Sequence, residues 1–186
     1  MARQTFTAGQ VLTAAQMTTL QDNSGLQLVT AETALSAAAT LTVDGCFTNS
    51  FTNYRIMINA TGAATANPVL QLRAAGSTAA TNYNRQYIDA SSTTVSGGRS
   101  TSQTSFDFGY IEADYRNTFI IDVMQPQLAQ YTNFYVANNY TSGTSTTNVV
   151  WMNICGFHAA ATAYDGFIIT FNTNATGSYV IYGYGK

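Results

Sequence analysis

The sequence predicts an all-β chain, an antiparallel β-sandwich of the jelly-roll type preceded by an extended arm and one short helix. Three observations lead there. From residue 26 onward apolar residues recur with a period of two, turn-forming Gly, Asn, Asp, Ser and Thr separate those segments, and no second stretch has helical spacing. Many short strands at such intervals belong to a sandwich, with a closed barrel as the alternative.

Residues 1–25 differ from the rest. Thr13 followed by Gln16 fits a capping box, in which each side chain meets a free backbone N–H of the other residue. Leu12 before the cap and Met17 after it fit a hydrophobic staple. Met17 and Leu20 share a face, and Gly25 offers a stop, so a helix is expected over 14–22 behind an extended arm from Arg3 to Val11. A helix this short is marginal alone and must pack on its own domain or on a neighbouring subunit. The arm, poor in apolar residues, suits addition to another chain's sheet edge.

The strands follow in order. Leu26 to Val29 opens the series, and Thr40 to Val43 ends at the turn pair Asp44-Gly45. Tyr54, Ile56 and Ile58 share one face, and Thr61-Gly62 closes that strand. Val69 to Arg73 follows Pro68, whose missing N–H is tolerated at a strand's first edge. Further strands are expected at Tyr83 to Ile88, Phe106 to Ile111, Thr118 to Met124, Thr132 to Val136 and Val149 to Phe157. The longest linkers are Ser91 to Ser105 and Asn138 to Asn148, and loops of that length are usually functional or disordered. The last strands are Gly166 to Phe171 and Tyr179 to Tyr184, with Phe167 to Phe171 and Tyr179 to Tyr184 alternating as a hairpin around Asn172–Gly177. Tyr179, Ile181 and Gly183 face one way, and Val180, Tyr182 and Tyr184 the other. Both faces are apolar or aromatic, which puts this strand at the centre of a sheet or at a subunit interface.

Composition narrows the function. The 186 residues suffice for one core without metals or disulfides. Only 9% are charged, against roughly a quarter in ordinary globular proteins. The 46% hydrophobic and 12% aromatic content argues against disorder. A net charge of -2 with scattered arginines leaves no basic patch, which sets nucleic acid aside. So neutral a surface favours self-association, and with it a homo-oligomer or a particle component. The N-terminus lacks the apolar core of a secretory signal, and no stretch reaches the roughly 20 apolar residues of a membrane span. The expectation is a protein made in a cytoplasm and not inserted in a membrane.

Catalytic chemistry finds little footing. Cys46 and Cys155 lack metal-ligand spacing and are read as buried, reduced thiols, with a disulfide as the alternative. The one histidine, His158, has no partner nearby except Cys155, and is read as a turn or interface residue. A glycosidase needs two converging carboxylates. Of Asp22, Glu32, Asp44, Asp89, Asp107, Glu112, Asp114, Asp122 and Asp165, only Glu112 and Asp114 are so spaced that both point one way, as a Ca²⁺ pair would; the plainer reading is a solvated turn. No phosphate loop, metal motif or cofactor signature appears. Twelve tyrosines, ten phenylalanines and Asn/Thr/Ser-rich loops suit sugar binding, but they suit a packed sandwich equally.

The opening Phe6-Thr7-Ala8-Gly9-Gln10-Val11-Leu12-Thr13-Ala14-Ala15-Gln16-Met17, with Leu20, resembles the starts of many bacteriophage tail-fibre and minor tail proteins. These often read F-x-A-G-x-V-L-T-A-x-x-M/V-N, and Thr18 here replaces the usual Asn. Gly45-Cys46-Phe47-Thr48, Asn53-Tyr54-Arg55-Ile56, Ala163-Tyr164-Asp165-Gly166-Phe167 and Val180-Ile181-Tyr182-Gly183-Tyr184 are also similar to small phage virion proteins. The resemblance implies a non-enzymatic virion protein assembled in the host cytoplasm. Residues 1–25 would attach it to other tail or capsid proteins through Phe6, Val11, Leu12, Met17 and Leu20. Residues 26–186 would form an outward β-domain, a homotrimer packed through Tyr179, Ile181, Tyr182 and Tyr184, with a host-surface glycan as a further partner. A capsid decoration or head-fibre protein and a carbohydrate-binding module are the alternative readings.

Overall fold

The computed structural model describes residues 9, 11, 13–17, 25–113, 115–141 and 149–185. Residues 14–17 are helical, and the capping box is formed. Gln16 N donates to Thr13 Oγ1 at 3.3 Å, and Thr13 N donates to Gln16 Oε1 at 2.9 Å. Leu12 and Leu20, and with them the staple and the helix end, lie outside the described residues.

The described residues after Gly25 are built on β-structure. The strands are β1 (Leu26–Val43), β2 (Asn53–Gly62), β3 (Val69–Ala74), β4 (Ser77–Thr78), β5 (Tyr83–Ser91), β6 (Thr94–Gln103), β7 (Phe106–Asp107), β8 (Asn117–Met124), β9 (Gln130–Thr141), β10 (Val149–Thr162) and β11 (Gly166–Tyr184). They form one strongly curled antiparallel sheet in the order β4-β3-β11-β2-β8-β9-β10-β5-β6, with β1 added to β11 and β7 to β3. The expectation of an all-β antiparallel fold behind a short helix holds.

The long strand β11 organises the curl. Its first half, Gly166 to Thr170, pairs with β3, and its second half, Ala175 to Gly183, pairs with β2. Along its other edge runs β1. Between the halves Asn172 takes a positive φ of 57°, and on β1 Ala37 does the same at 48°, next to register shifts. These left-handed residues let the paired ribbon bend.

The bend brings the two ends of the sheet together over one core. Tyr83 of β5 accepts the Leu72 N–H of β3 at 2.8 Å and donates to the Ala79 carbonyl. Phe106 of β7 stacks on Phe134 of β9 at 4.6 Å between ring centres. Ile56, Ile58, Leu70, Phe119, Ile121, Ile154, Phe167 and Ile181 are fully enclosed. Alternation makes this possible: in β2, Tyr54, Ile56, Ile58 and Ala60 are buried while Arg55, Met57 and Asn59 are half-exposed.

Several expected boundaries are corrected. The segments Leu26–Val29 and Thr40–Val43 are one strand, since the Ala-rich stretch between them also pairs with β11. Gly166–Phe171 and Tyr179–Tyr184 do not form a hairpin; they are the two halves of β11, each paired elsewhere. Ser91–Ser105 is no long loop but largely β6, paired tightly with β5. Asn138–Thr141 belong to β9, and residues 142–148 lie outside the described part. Of Phe106–Ile111 only Phe106–Asp107 is strand, with Ile111 in an isolated bridge to Ala66. The C-terminal strand, expected at the centre of a sheet or at a subunit interface, lies inside the sheet between β1 and β2, with Tyr179, Ile181 and Gly183 inward.

Candidate functional site

The site sits on the outer face of the sheet. Pairing registers place side chains in rows running across seven strands. One row is Tyr182, Arg55, Asp122, Tyr135, Cys155, Gln86 and Arg99. The next is Val180, Met57, Ile120, Ala137, Asn153, Ile88 and Gly97, and the third Ser178, Asn59, Thr118, Asn139, Trp151, Ala90 and Val95. Twenty-one positions thus carry three ionisable Arg or Asp side chains, and two of those are joined to each other.

The joined pair closes the β11–β2–β8 side. Arg55 Nε and Nη2 each donate to one oxygen of Asp122 at 2.8 Å, and the Tyr184 hydroxyl donates to Asp122 Oδ1 at 2.6 Å. The Arg55 guanidinium also lies 5.5 Å from the Tyr184 ring centre. The Asp122 hydrogen bonds hold the Arg55 pKa above its ordinary value. Burial, then the carboxylate beside it, pushes the Tyr184 hydroxyl up to about 12. This trio binds three strands and leaves no free charge.

The β9–β10–β5–β6 side is different. Trp151, Phe157, Tyr131, Tyr135, Ile88 and Val95 are all exposed by more than a third. Tyr131 and Phe157 stack in parallel, 5.9 Å apart and 6° from coplanar. Beside them lies a concave trough of about 520 Å³, lined by Asn84, Gln86, Arg99, Ser100, Thr101, Asn133, Cys155 and Phe157 together with Arg85, Phe134 and Gly156. A smaller hollow of about 210 Å³ continues along the same face between Tyr135, Asn153 and Ile88. The lining holds aromatic, amide, hydroxyl and guanidinium groups and no carboxylate. Its volume lies within the roughly 300–1,000 Å³ of small-ligand sites.

His158 is not a turn residue. It lies within β10, 2% exposed, with its ring 4.4 Å from that of Tyr83 and its Nδ1 3.1 Å from the Tyr164 hydroxyl. Burial lowers its pKa. Glu112 is no solvated turn either: it is 9% exposed and accepts the Thr65 hydroxyl at 2.5 Å, while Asp114 lies outside the described residues. Both cysteines are free; Cys46 is buried, its thiol pushed up to about 12 by burial, but Cys155 is exposed in the trough. No group of three His, Cys, Asp or Glu among the described residues is placed to hold a metal, and no described helix is long and apolar enough to cross a membrane.

The expected attachment and packing residues separate. Val11 and Met17 are exposed, at 87% and 48%, while Phe6, Leu12 and Leu20 lie outside the described residues. Tyr179 and Ile181 point into the chain's own core, so their burial needs no second subunit; Tyr182 and Tyr184 are half-buried on the outer face. The sequence reading missed the trough. In β10 the outward Val149, Trp151 and Phe157 are as apolar as the inward Val150, Met152 and Ile154, so alternation alone does not say which set is covered. No protein-family model, curated protein or solved structure matches this chain.

Proposed function

We propose that this chain is a non-enzymatic bacteriophage virion structural protein of the tail-fibre or minor-tail type, which presents the β9–β10–β5–β6 face to the host surface. The observation that carries the reading is that face: exposed aromatics beside a trough in which Arg99, Gln86 and Asn133 have no side-chain partner among the described residues. Side chains so exposed add little to folding, and together they make a recognition surface. The N-terminal Phe6–Met17 pattern supports the virion setting, with Val11 and Met17 free to meet another protein.

Residues 1–25 attach, and the β-domain presents. The half-buried outer residues Tyr182 and Tyr184 are the positions left for packing in a homotrimer. The test is competition: excess full-length chain should slow adsorption of particles that carry it, and antibody to the chain should label their tails. Label spread over the shell, with undiminished adsorption of particles lacking the chain, would replace this reading with capsid decoration.

A further inference from the structure

We infer that the trough on the β9–β10–β5–β6 face binds a saccharide bearing a carboxylate, with Arg99 as its anion receptor and Phe157 as its stacking platform. The inference rests on the reading of that face as the recognition surface and names the ligand class it takes.

Charge is the first argument. Two arginines line the trough. Arg85 is held by Asp107 at 2.8 Å and lies over the Tyr87 ring at 5.1 Å. Arg99 is exposed, and among the described residues it has neither an ion pair nor a ring contact. Its neighbours on the face are amides, hydroxyls and apolar groups, and no carboxylate lines the trough. A planar guanidinium without a partner presents paired donors in the geometry of a carboxylate.

The surroundings then select a sugar. Phe157 offers an exposed ring, backed by Tyr131 in parallel, on which the C–H face of a pyranose can lie. Gln86 and Asn133 make no side-chain hydrogen bond within the described residues, and each amide can both donate to and accept from hydroxyls. One unpaired cation suits a single carboxylate. A polyphosphate or a nucleic acid needs clustered positive charge.

The test is calorimetric titration of the full chain with tri-galacturonate and with 3′-sialyllactose, each beside its neutral counterpart, the galacturonate methyl ester and lactose. The two arms separate uronic from sialic acid. At least one acidic sugar should bind, about tenfold or more tighter than its neutral counterpart, and Arg99→Gln should erase that difference. Arg99 is exposed, so this variant folds as the parent does. Phe157→Ser should weaken acidic and neutral forms alike. Equal binding of acidic and neutral sugars, binding unchanged in Arg99→Gln, or no binding of either acid overturns the inference. So does self-association through this face, seen by sedimentation as a dimer that Phe157→Ser abolishes and tri-galacturonate leaves intact. The two readings fail separately. A chain that competes for adsorption but ignores both acids keeps its attachment role and loses this ligand; one that binds an acid but joins no particle does the reverse.

Discussion

Removing the Asp122 carboxylate should be among the most damaging changes on the outer face. In Asp122→Ala, Arg55 loses two charge-assisted hydrogen bonds and Tyr184 loses one. Breaking a fully buried pair by deleting one partner costs about 3–5 kcal/mol, because the stranded charge has no solvent to turn to. Here the Arg55 side chain is 30% exposed and that of Asp122 8%, so water recovers part of the loss. A cost of about 2–3 kcal/mol is expected. Tyr184→Phe removes one hydrogen bond to a charged acceptor and should cost about 1–2 kcal/mol. The double variant Arg55→Leu/Asp122→Ala leaves no orphan charge and should be milder than the two single changes added together, by about 1 kcal/mol or more. Urea unfolding reads this directly: with m near 2 kcal/mol per molar, Asp122→Ala moves the midpoint down by about 1–1.5 M at unchanged m. If Asp122→Ala costs no more than Tyr184→Phe, or the single costs simply add, the trio does not act as a unit and the reasoning fails.

Four further outcomes follow from the same geometry. His158 is buried and its pKa is lowered, so below the unfolded value of about 6.5 the unfolded chain binds more protons and stability falls with falling pH. The urea midpoint should drop between pH 7.5 and 5.0 by less in His158→Gln than in the parent; equal drops would show that His158 does not couple folding to pH. In Gly156→Ala the new methyl meets the Asn84 carbonyl and the Phe106 ring, and thermal unfolding should report a loss of about 1–3 kcal/mol. With a thiol reagent on the native protein, Cys155 should react at once and Cys46 only on unfolding; two equally fast thiols would contradict the burial of Cys46. Trp151→Ser should change stability by less than about 1 kcal/mol, since the residue is 43% exposed, and a larger loss would make it a fold residue.

The strand-period segments, the Thr13–Gln16 cap and the central place of Tyr179–Tyr184 were legible in the chain because each is a local pattern. Alternation shows in a handful of neighbours, and a capping box in four residues. The Gly/Ser-rich β6 was not legible. Its residues have weak strand preference, and it is held by its register on β5 rather than by burial. The halves of β11 looked like a hairpin for a related reason. Asn172–Gly177 has turn composition, but β1 pairs on both sides of Asn172 and β2 takes up Ala175–Gly177, so the strand bends there without turning back.

Sequence alone therefore settled the all-β class and the short capped helix, since both follow from periodicity and nearest-neighbour chemistry. Tertiary structure decided which of two apolar faces of β9 and β10 is core and which is surface. That choice depends on where the curl brings β3 and β7, because Phe106 covers Phe134 from within, while Trp151 and Phe157 stay exposed by more than a third on the outside. It also decided which arginines are free. Arg55, Arg73 and Arg85 find Asp122, Asp44 and Asp107 on segments at least 22 residues away in sequence, and Arg99 is left facing the trough because its register neighbour is Gln86. Pairing of that kind is set by distance in space, which a linear pattern does not carry.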